Sequence, residues 1–286
     1  MTDSDAPRPD LWFRRNGLEL RAIDSGPADG EPVVLLHGFP QRTSSWNQVV
    51  PLLHVAGLRT LVLDQRGYCE SARPRGRRAY RLSALIGDVT GLLDAAGLPD
   101  AHVVGHDWGA VVAWGLAAAQ PERVRTLTAV SVPHPAAFLT AMVRSDQLLR
   151  SWYMGFFQLP LVPEKVLGSP GPLPERALAR MGMTPEMIER YRREMVESGA
   201  IPGGLGWYRA LPFASPGATT ARVQVPTTFV WSDRDPALGR GGAERTGDHV
   251  DADYRFVELR GVSHWIPDER PVELADAIIA RARSPR

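Results

Sequence analysis

The residues in this chain best suited to chemistry are one carboxylate in a glycine-framed turn and an acid–histidine pair far downstream. Asp107 stands in the run Val103-Val104-Gly105-His106-Asp107-Trp108-Gly109-Ala110, with Gly105 and Gly109 two residues away on either side. A β-rich run, 101–104, leads in, and a small-residue helical run, 109–119, leads out. This is the pattern of a strand–turn–helix nucleophile elbow, with Asp where Ser is more usual. Glycine at those two places lets a strained turn and its helix approach closely. The elbow would hold the Asp107 side chain at the carboxyl end of a sheet, facing a helix N-terminus. On the pentapeptide alone, an ordinary turn with an Asp helix cap fits equally well.

A carboxylate nucleophile needs partners, and two later segments offer them. Val230-Trp231-Ser232-Asp233-Arg234-Asp235-Pro236 puts acids just past a predicted strand, and Gly261-Val262-Ser263-His264-Trp265 puts a histidine just past the last one. Taken singly, His264 reads as a loop histidine and Asp235 as a turn residue before proline. Together they complete the order nucleophile, acid, base: Asp107, Asp235, His264. Asp235 is preferred to Asp233 as the acid that orients the histidine. A carboxylate is already ionised at pH 7 and needs no base to attack.

The elements that must position these residues follow from periodicity. Residues 11–14 and 18–24 read as a hairpin about Asn16-Gly17. Strands are predicted at 33–36, 59–63, 101–104 and 124–130, and helices at 45–56 (capped near Ser44 or Ser45), 82–96 and 109–120. Short apolar strands alternating with amphipathic helices imply an α/β fold with a mostly parallel sheet, covered by helices on both faces. Sites in such sheets form at the carboxyl ends of strands. His37-Gly38-Phe39-Pro40, Asp64-Gln65-Arg66-Gly67-Tyr68 and the Asp107 turn all fall there. From 136 to 212 the alternation stops, and a helical, aromatic- and Met-rich stretch broken by prolines takes over. It resumes with strands at 227–231 and 254–259 and a helix at 272–283. The division predicted is 1–135 and 213–286 as one core, with 136–212 an inserted helical lid that excludes water from the sheet's carboxyl end.

Composition narrows the classes. The 286 residues suffice for one large domain with an insertion. Net charge is +1, from 33 basic and 32 acidic residues, so nothing in it argues for nucleic acid or an anionic membrane. Lys165 is the lone lysine; the bias to Arg, Ala, Gly and Pro suits a GC-rich bacterial genome. The single cysteine, Cys69, excludes an intrachain disulfide and suits the cytoplasm. Residues 1–10 read as a loose polar leader without the features of a signal peptide. With no dinucleotide fingerprint, phosphate loop or paired-Cys metal motif, the expectation is no cofactor and no metal.

The chain resembles the epoxide hydrolases of the α/β-hydrolase fold. The matching pieces are His37 to Pro40, Asp64 to Tyr68, Gly105 to Gly109, and the acid and histidine segments, and the likeness runs over nearly the whole chain from about Leu11. Haloalkane and haloacid dehalogenases share the fold and the Asp nucleophile, and the lid separates the two. Trp152-Tyr153-Met154-Gly155-Phe156-Phe157-Gln158 and Gly206-Trp207-Tyr208-Arg209 resemble the family's segments that carry two lid tyrosines. The resemblance therefore implies that Tyr153 and Tyr208 polarise and protonate the epoxide oxygen. Asp107 would form an alkyl ester, and His264 with Asp235 would activate the water that hydrolyses it. The backbone N–H groups of Phe39 and Trp108 would form the oxyanion hole.

The pocket is expected to be lined by Trp108, Phe39, His134, Phe157 and Trp265. Lid residues such as Phe138, Trp152, Met154, Phe156 and Leu161 suggest an apolar small-molecule epoxide. His37 and His106 are read as supports of the oxyanion loop and elbow, and 73–81 as a solvated face. Monomer and homodimer both remain open. A dehalogenase is the alternative, weakened by Phe39 where haloalkane dehalogenases often carry Asn and by Trp108 where fluoroacetate-type enzymes carry Arg. A non-catalytic ligand-binding protein on the same fold is the other. The chain departs from the family at Trp231-Ser232, where Gly usually precedes the charged pair, and at Cys69-Glu70, where a small residue is usual.

Overall fold

In the computed structural model the described residues are 9–284, apart from 170, 215, 216, 218 and 219. The first eight residues of the expected leader lie outside them. Eight strands form one sheet in the order β1-β2-β4-β3-β5-β6-β7-β8. They are β1 (Leu11–Arg15), β2 (Leu18–Ser25), β3 (Glu31–Leu36), β4 (Leu58–Asp64), β5 (Ala101–His106), β6 (Val124–Val130), β7 (Thr227–Ser232) and β8 (Tyr254–Leu259). β1 and β2 pair antiparallel through the two-residue turn Asn16-Gly17, both at positive φ, and β2 pairs antiparallel with β4. From β4 to β8 every pairing is parallel. The chain belongs to the α/β class, as the alternation of strand and helix predicted.

Strand order reverses at β3, which lies between β4 and β5. Loops leaving β3 and β5 there diverge and open a crevice at the carboxyl ends. The loop after β3 carries Phe39, and the loop after β5 carries Asp107.

Alternation along the strands builds two cores. Val34, Leu36, Val103 and Phe229 face one side, packed with Leu85, Val89 and Leu92 of α2 (Leu82–Ala95) and Val112 and Leu116 of α3 (Trp108–Ala119). Val33, Leu35, Val104 and Val230 face the other, packed with Leu53 of α1 (Val50–Val55) and with Leu274 and Ile278 of the C-terminal helix Pro271–Ala282. Each fully buried Val or Leu there contributes on the order of 1.5–3 kcal/mol over an exposed one. α2 stops as its sequence dictates: Gly97 takes a left-handed φ of 67°, and Leu98 N–H donates to Leu93 O at 2.9 Å.

The helix expected over 45–56 is shorter. Thr43–Trp46 is a 3-10 turn, and α1 begins only at Val50. Pro51 is the reason: it has no N–H for an i→i−4 bond and its ring clashes with the carbonyl of the preceding turn, so it is accommodated only at a helix start.

Between β6 and β7 the chain forms helices α4 (Pro135–Arg144), α5 (Gln147–Arg150), α6 (Trp152–Phe156), α7 (Val162–Gly168), α8 (Pro172–Arg180), α9 (Pro185–Tyr191) and α10 (Ile201–Ala210). α10 touches the loops at the sheet's carboxyl end. Trp207 Nε1 donates to Arg66 O at 2.8 Å, and the Phe39 and Tyr208 rings meet edge to face.

Candidate active site

Asp107 sits between β5 and α3 at φ 52°, ψ −121°, a conformation costly for any residue with a side chain. The turn is tight enough that a Cβ at Gly105 would run into the Gly109 carbonyl, and one at Gly109 into the Leu36 carbonyl. These two close approaches are what the glycines provide. The result is a nearly buried carboxylate, 8% exposed, with a hydrogen-bond donor on one oxygen: Phe39 N–H reaches Oδ1 at 2.7 Å. The Trp108 backbone N–H also serves the carboxylate.

The other Asp107 oxygen, Oδ2, faces His264 Nε2 at 3.5 Å. The far nitrogen of that ring, Nδ1, is 2.6 Å from Asp235 Oδ2. Asp235 uses both of its oxygens. Oδ1 accepts from Ala237 N–H at 2.8 Å and Leu238 N–H at 2.9 Å, the local turn that an Asp before proline favours. Asp233 points elsewhere: its Oδ1 accepts from Gly261 N–H at 2.7 Å at an exposed position. The departure at Trp231-Ser232 also finds a use. Trp231 Nε1 donates to Leu238 O at 3.0 Å, and Ser232 Oγ donates to Ser263 O at 2.7 Å, tying the acid turn to the histidine loop.

Electrostatics follow from this chain of groups. Burial pulls the His264 imidazolium down, but the Asp235 charge and the facing Asp107 carboxylate outweigh it, and its pKa is pushed up to about 10. Burial opposes ionisation of Asp107, yet the hydrogen bond and charge of His264 hold its pKa below the usual carboxylate value. His106 and His37 are fully buried, and desolvation lowers each to about 4, so both are neutral at pH 7. His106 Nε2 donates to His264 O at 2.9 Å, and Ser131 Oγ donates to the same carbonyl at 3.1 Å. His37 Nε2 accepts from Gln65 N–H at 3.3 Å, which joins the loops after β3 and β4.

An aromatic group closes over Asp107. The Tyr208 ring lies 5.0 Å from Trp108, 5.6 Å from Phe39 and 4.8 Å from Phe157, centroid to centroid, and Tyr153 is 6.1 Å from Tyr208. Burial first, and then the negative charge of Asp107, raise both phenols well above the ordinary tyrosine value. Both hydroxyls are therefore protonated at neutral pH.

Two residues expected in the pocket wall stand elsewhere. His134 stacks on His249 at 4.8 Å and meets Trp114 edge to face; its Nδ1 accepts from Ala136 N–H and its Nε2 bonds Ala221 O at 3.1 Å. As the N-cap of α4 it has no nitrogen left for a ligand. Trp265 is 1% exposed, lies edge-on to His264 at 4.9 Å, and donates from Nε1 to Met181 O at 2.9 Å, so it braces the histidine.

The supports of the acid turn are not among the residues that sequence reasoning singles out. Gln147 in α5 donates from Nε2 to Ala237 O at 2.7 Å and accepts from Gly239 N–H at 2.8 Å, and Arg150 Nη1 donates to Asp235 O at 3.1 Å. A buried Gln in a polar helical turn carries no sequence signal of its partner. Among the described residues no group of three or more His, Cys, Asp or Glu side chains is placed to hold a metal ion, and no helix is long and apolar enough to cross a membrane.

Comparison with known proteins matches this architecture. A family model described as the alpha/beta hydrolase fold matches residues 31–271. The AB hydrolase superfamily protein YfhM of Bacillus subtilis is 35% identical over 282 residues, covering 94% of this chain and 96% of that protein. Epoxide hydrolase A of Mycobacterium tuberculosis is 33% identical over 308 residues, covering 92% and 94%. Among solved structures, Epoxide Hydrolase A from Mycobacterium thermoresistibile superposes with a TM-score of 0.80 at 31% identity, covering 96% of this chain and 98% of that one.

Proposed function

The chain belongs to the α/β-hydrolase fold family, in its epoxide-hydrolase branch, and we propose that it opens an epoxide to a vicinal diol through a covalent ester on Asp107. The observation that carries the reading is the convergence of three groups: a strained, ionised carboxylate, a charged histidine–acid pair beside it, and two protonated tyrosines over it. The helical segment 136–212 acts as the lid of a core made of 1–135 and 213–286.

Asp107 Oδ1 already accepts from Phe39 N–H, so Oδ2 is the oxygen that attacks. It bonds to an epoxide carbon from the face opposite the breaking C–O bond. The departing oxygen takes a proton from Tyr153 or Tyr208. The negative charge that kept those phenols protonated disappears as Oδ2 becomes an ester oxygen, so they become better donors at the moment the alkoxide forms.

The same loss of charge resets His264. Its imidazolium rests on Asp107 as well as Asp235, and esterification removes the Asp107 share. The imidazolium proton then replaces the one the phenol gave up, which leaves neutral His264 as the base for the second step. His264 takes a proton from water, the hydroxide adds to Asp107 Cγ, and Oδ1 carries the oxyanion in the Phe39–Trp108 site. Collapse breaks Cγ–Oδ2. The diol oxygen leaves with the proton that His264 held, and the new Asp107 acid yields its own proton to restore the imidazolium. Phe39, Trp108 and Phe157 form the pocket wall and favour an apolar substrate.

The test is one turnover of an epoxide in heavy-oxygen water with enzyme in excess. The diol carries the enzyme's own oxygen and no label, while the peptide containing Asp107 gains one heavy oxygen. Label in the diol from the first turnover would mean direct attack by water and would overturn the ester mechanism.

A further inference from the structure

A cavity of about 430 Å³ lies apart from the Asp107 group, at the seam between the loop after β4 and the helical segment. Its volume falls in the range of small-molecule sites, about 300–1,000 Å³. Four arginines line it: Arg73, Arg75 and Arg77 from the loop, and Arg209 from α10. The acid in the lining, Glu164, is engaged twice by Arg209, through Nη1 and through Nη2 at 2.9 Å. That pair is self-neutralised. Among the described residues, none of the other three arginines pairs with a carboxylate.

Arg73 is fixed in place. It donates from Nη1 to Ser198 O at 2.6 Å and from Nη2 to Tyr68 O at 2.9 Å, and its buried Nε has no partner. Tyr80 Oη donates to Pro74 O at 2.8 Å and stiffens the same loop. Arg75 and Arg77 are exposed at the rim. The remaining wall is largely apolar: Pro160, Leu161, Pro202 and the backbone of Gly203 and Gly206. A concave site with three uncompensated guanidiniums concentrates anions, and a guanidinium fork matches a carboxylate or phosphate head.

We propose that this cavity binds an organic anion, a carboxylate or phosphate head on an apolar body. Arg75 and Arg77 hold the head from the rim, with the charge of Arg73 behind them. The occupant touches the core loop on one side and α7 and α10 on the other, so it clamps the helical segment onto the sheet's loops. The proposal is independent of the reaction at Asp107.

The test is titration calorimetry of the full chain with octanoate, octyl phosphate, octanol and inorganic phosphate. Octanoate or octyl phosphate binds at least about tenfold tighter than octanol and than inorganic phosphate. Arg75→Ala with Arg77→Ala weakens that binding at least about tenfold and leaves epoxide turnover and the circular dichroism spectrum unchanged, and Arg75→Lys with Arg77→Lys retains part of it. Binding by octanol as tight as by octanoate overturns the proposal. So does a double-alanine variant that binds as tightly as the parent, or binding lost when the Asp107 pocket is filled with a diol product.

Discussion

The sheet edge and the helical segment hold their functional side chains in different ways. Asp107, Asp235 and His264 each leave the carboxyl end of a strand or the loop after it, and main-chain groups fix all three. Phe39 N–H grips Asp107, Ala237 and Leu238 N–H grip Asp235, and the His264 carbonyl takes hydrogen bonds from His106 and Ser131. Tyr153 and Tyr208 ride on helices and are held by ring edges, with Gln158 Nε2 donating to Tyr208 O at 2.7 Å. A ladder of strand hydrogen bonds permits little movement, whereas stacked rings slide at lower cost. Of the roles proposed above, the nucleophile and the water-activating pair thus sit on the rigid region, and the proton donors to the epoxide oxygen sit on the adjustable one.

Variants on the two sides separate these roles. Asp107→Asn removes the nucleophile and is expected to lower turnover on the order of 10³–10⁴-fold or more, with no ester seen by intact-protein mass. Tyr153→Phe with Tyr208→Phe slows ring opening by roughly 10²–10⁴-fold, again with no ester accumulating. His264→Gln lowers turnover by a comparable 10²–10⁴ or so, but the ester forms and persists. An ester that accumulates in the tyrosine double variant would break the division of labour between the two regions.

Smaller effects test the supports. Gln147→Ala leaves the Ala237 carbonyl and the Gly239 N–H without their partner and is expected to cost about 1–3 kcal/mol in urea unfolding, with hydrolysis of the ester slowed more than its formation. The equivalent loss beside the tyrosines, Gln158→Ala, should change ester formation first. Equal effects of both variants on both steps would show that the two regions are not mechanically distinct.

The charge on His264 yields a pH-dependent contribution. Its folded pKa, about 10, lies above the ordinary value of 6.5, so its stabilisation is complete below about pH 6.5 and is lost as pH rises through 10. Thermal melts should show a loss between pH 7 and 10 that His264→Gln lacks. In Asp107→Asn the imidazole pKa, followed by NMR, should fall below that of the parent, because one of its two carboxylates is gone. An unchanged pKa would remove the link by which ester formation readies His264.

The grouping of Asp107, Asp235 and His264 is legible in the sequence because their residue types are scarce and their order is constrained. A carboxylate between Gly105 and Gly109, after one strand and before one helix, is hard to take for a plain turn once an acid and a histidine follow at later strand ends. The parallel sheet is legible because strands covered on both faces read as short unbroken apolar runs, with helices between them. The helix over 45–56 comes out too long because its apolar spacing continues through the local veto at Pro51. His134 reads as a pocket residue because a histidine after a strand near a site has the right position in the chain whichever way its ring turns.

What the sequence by itself determined is therefore the fold and the strand ends at which Asp107, Asp235 and His264 stand, since periodicity and glycine placement are local properties of the chain. What only the tertiary structure decided is direction. Asp235 rather than Asp233 meets His264 because the turn before Leu238 points one carboxylate inward and leaves the other on Gly261. The arginine-rich loop after β4, which reads as a solvated face, meets α7 and α10 across a cavity because β4 and the helical segment, far apart in sequence, end on the same side of the sheet. A local turn aims Asp235, but what it meets, like what Asp233 and the arginine-rich loop meet, lies on a distant segment that no short window of sequence includes.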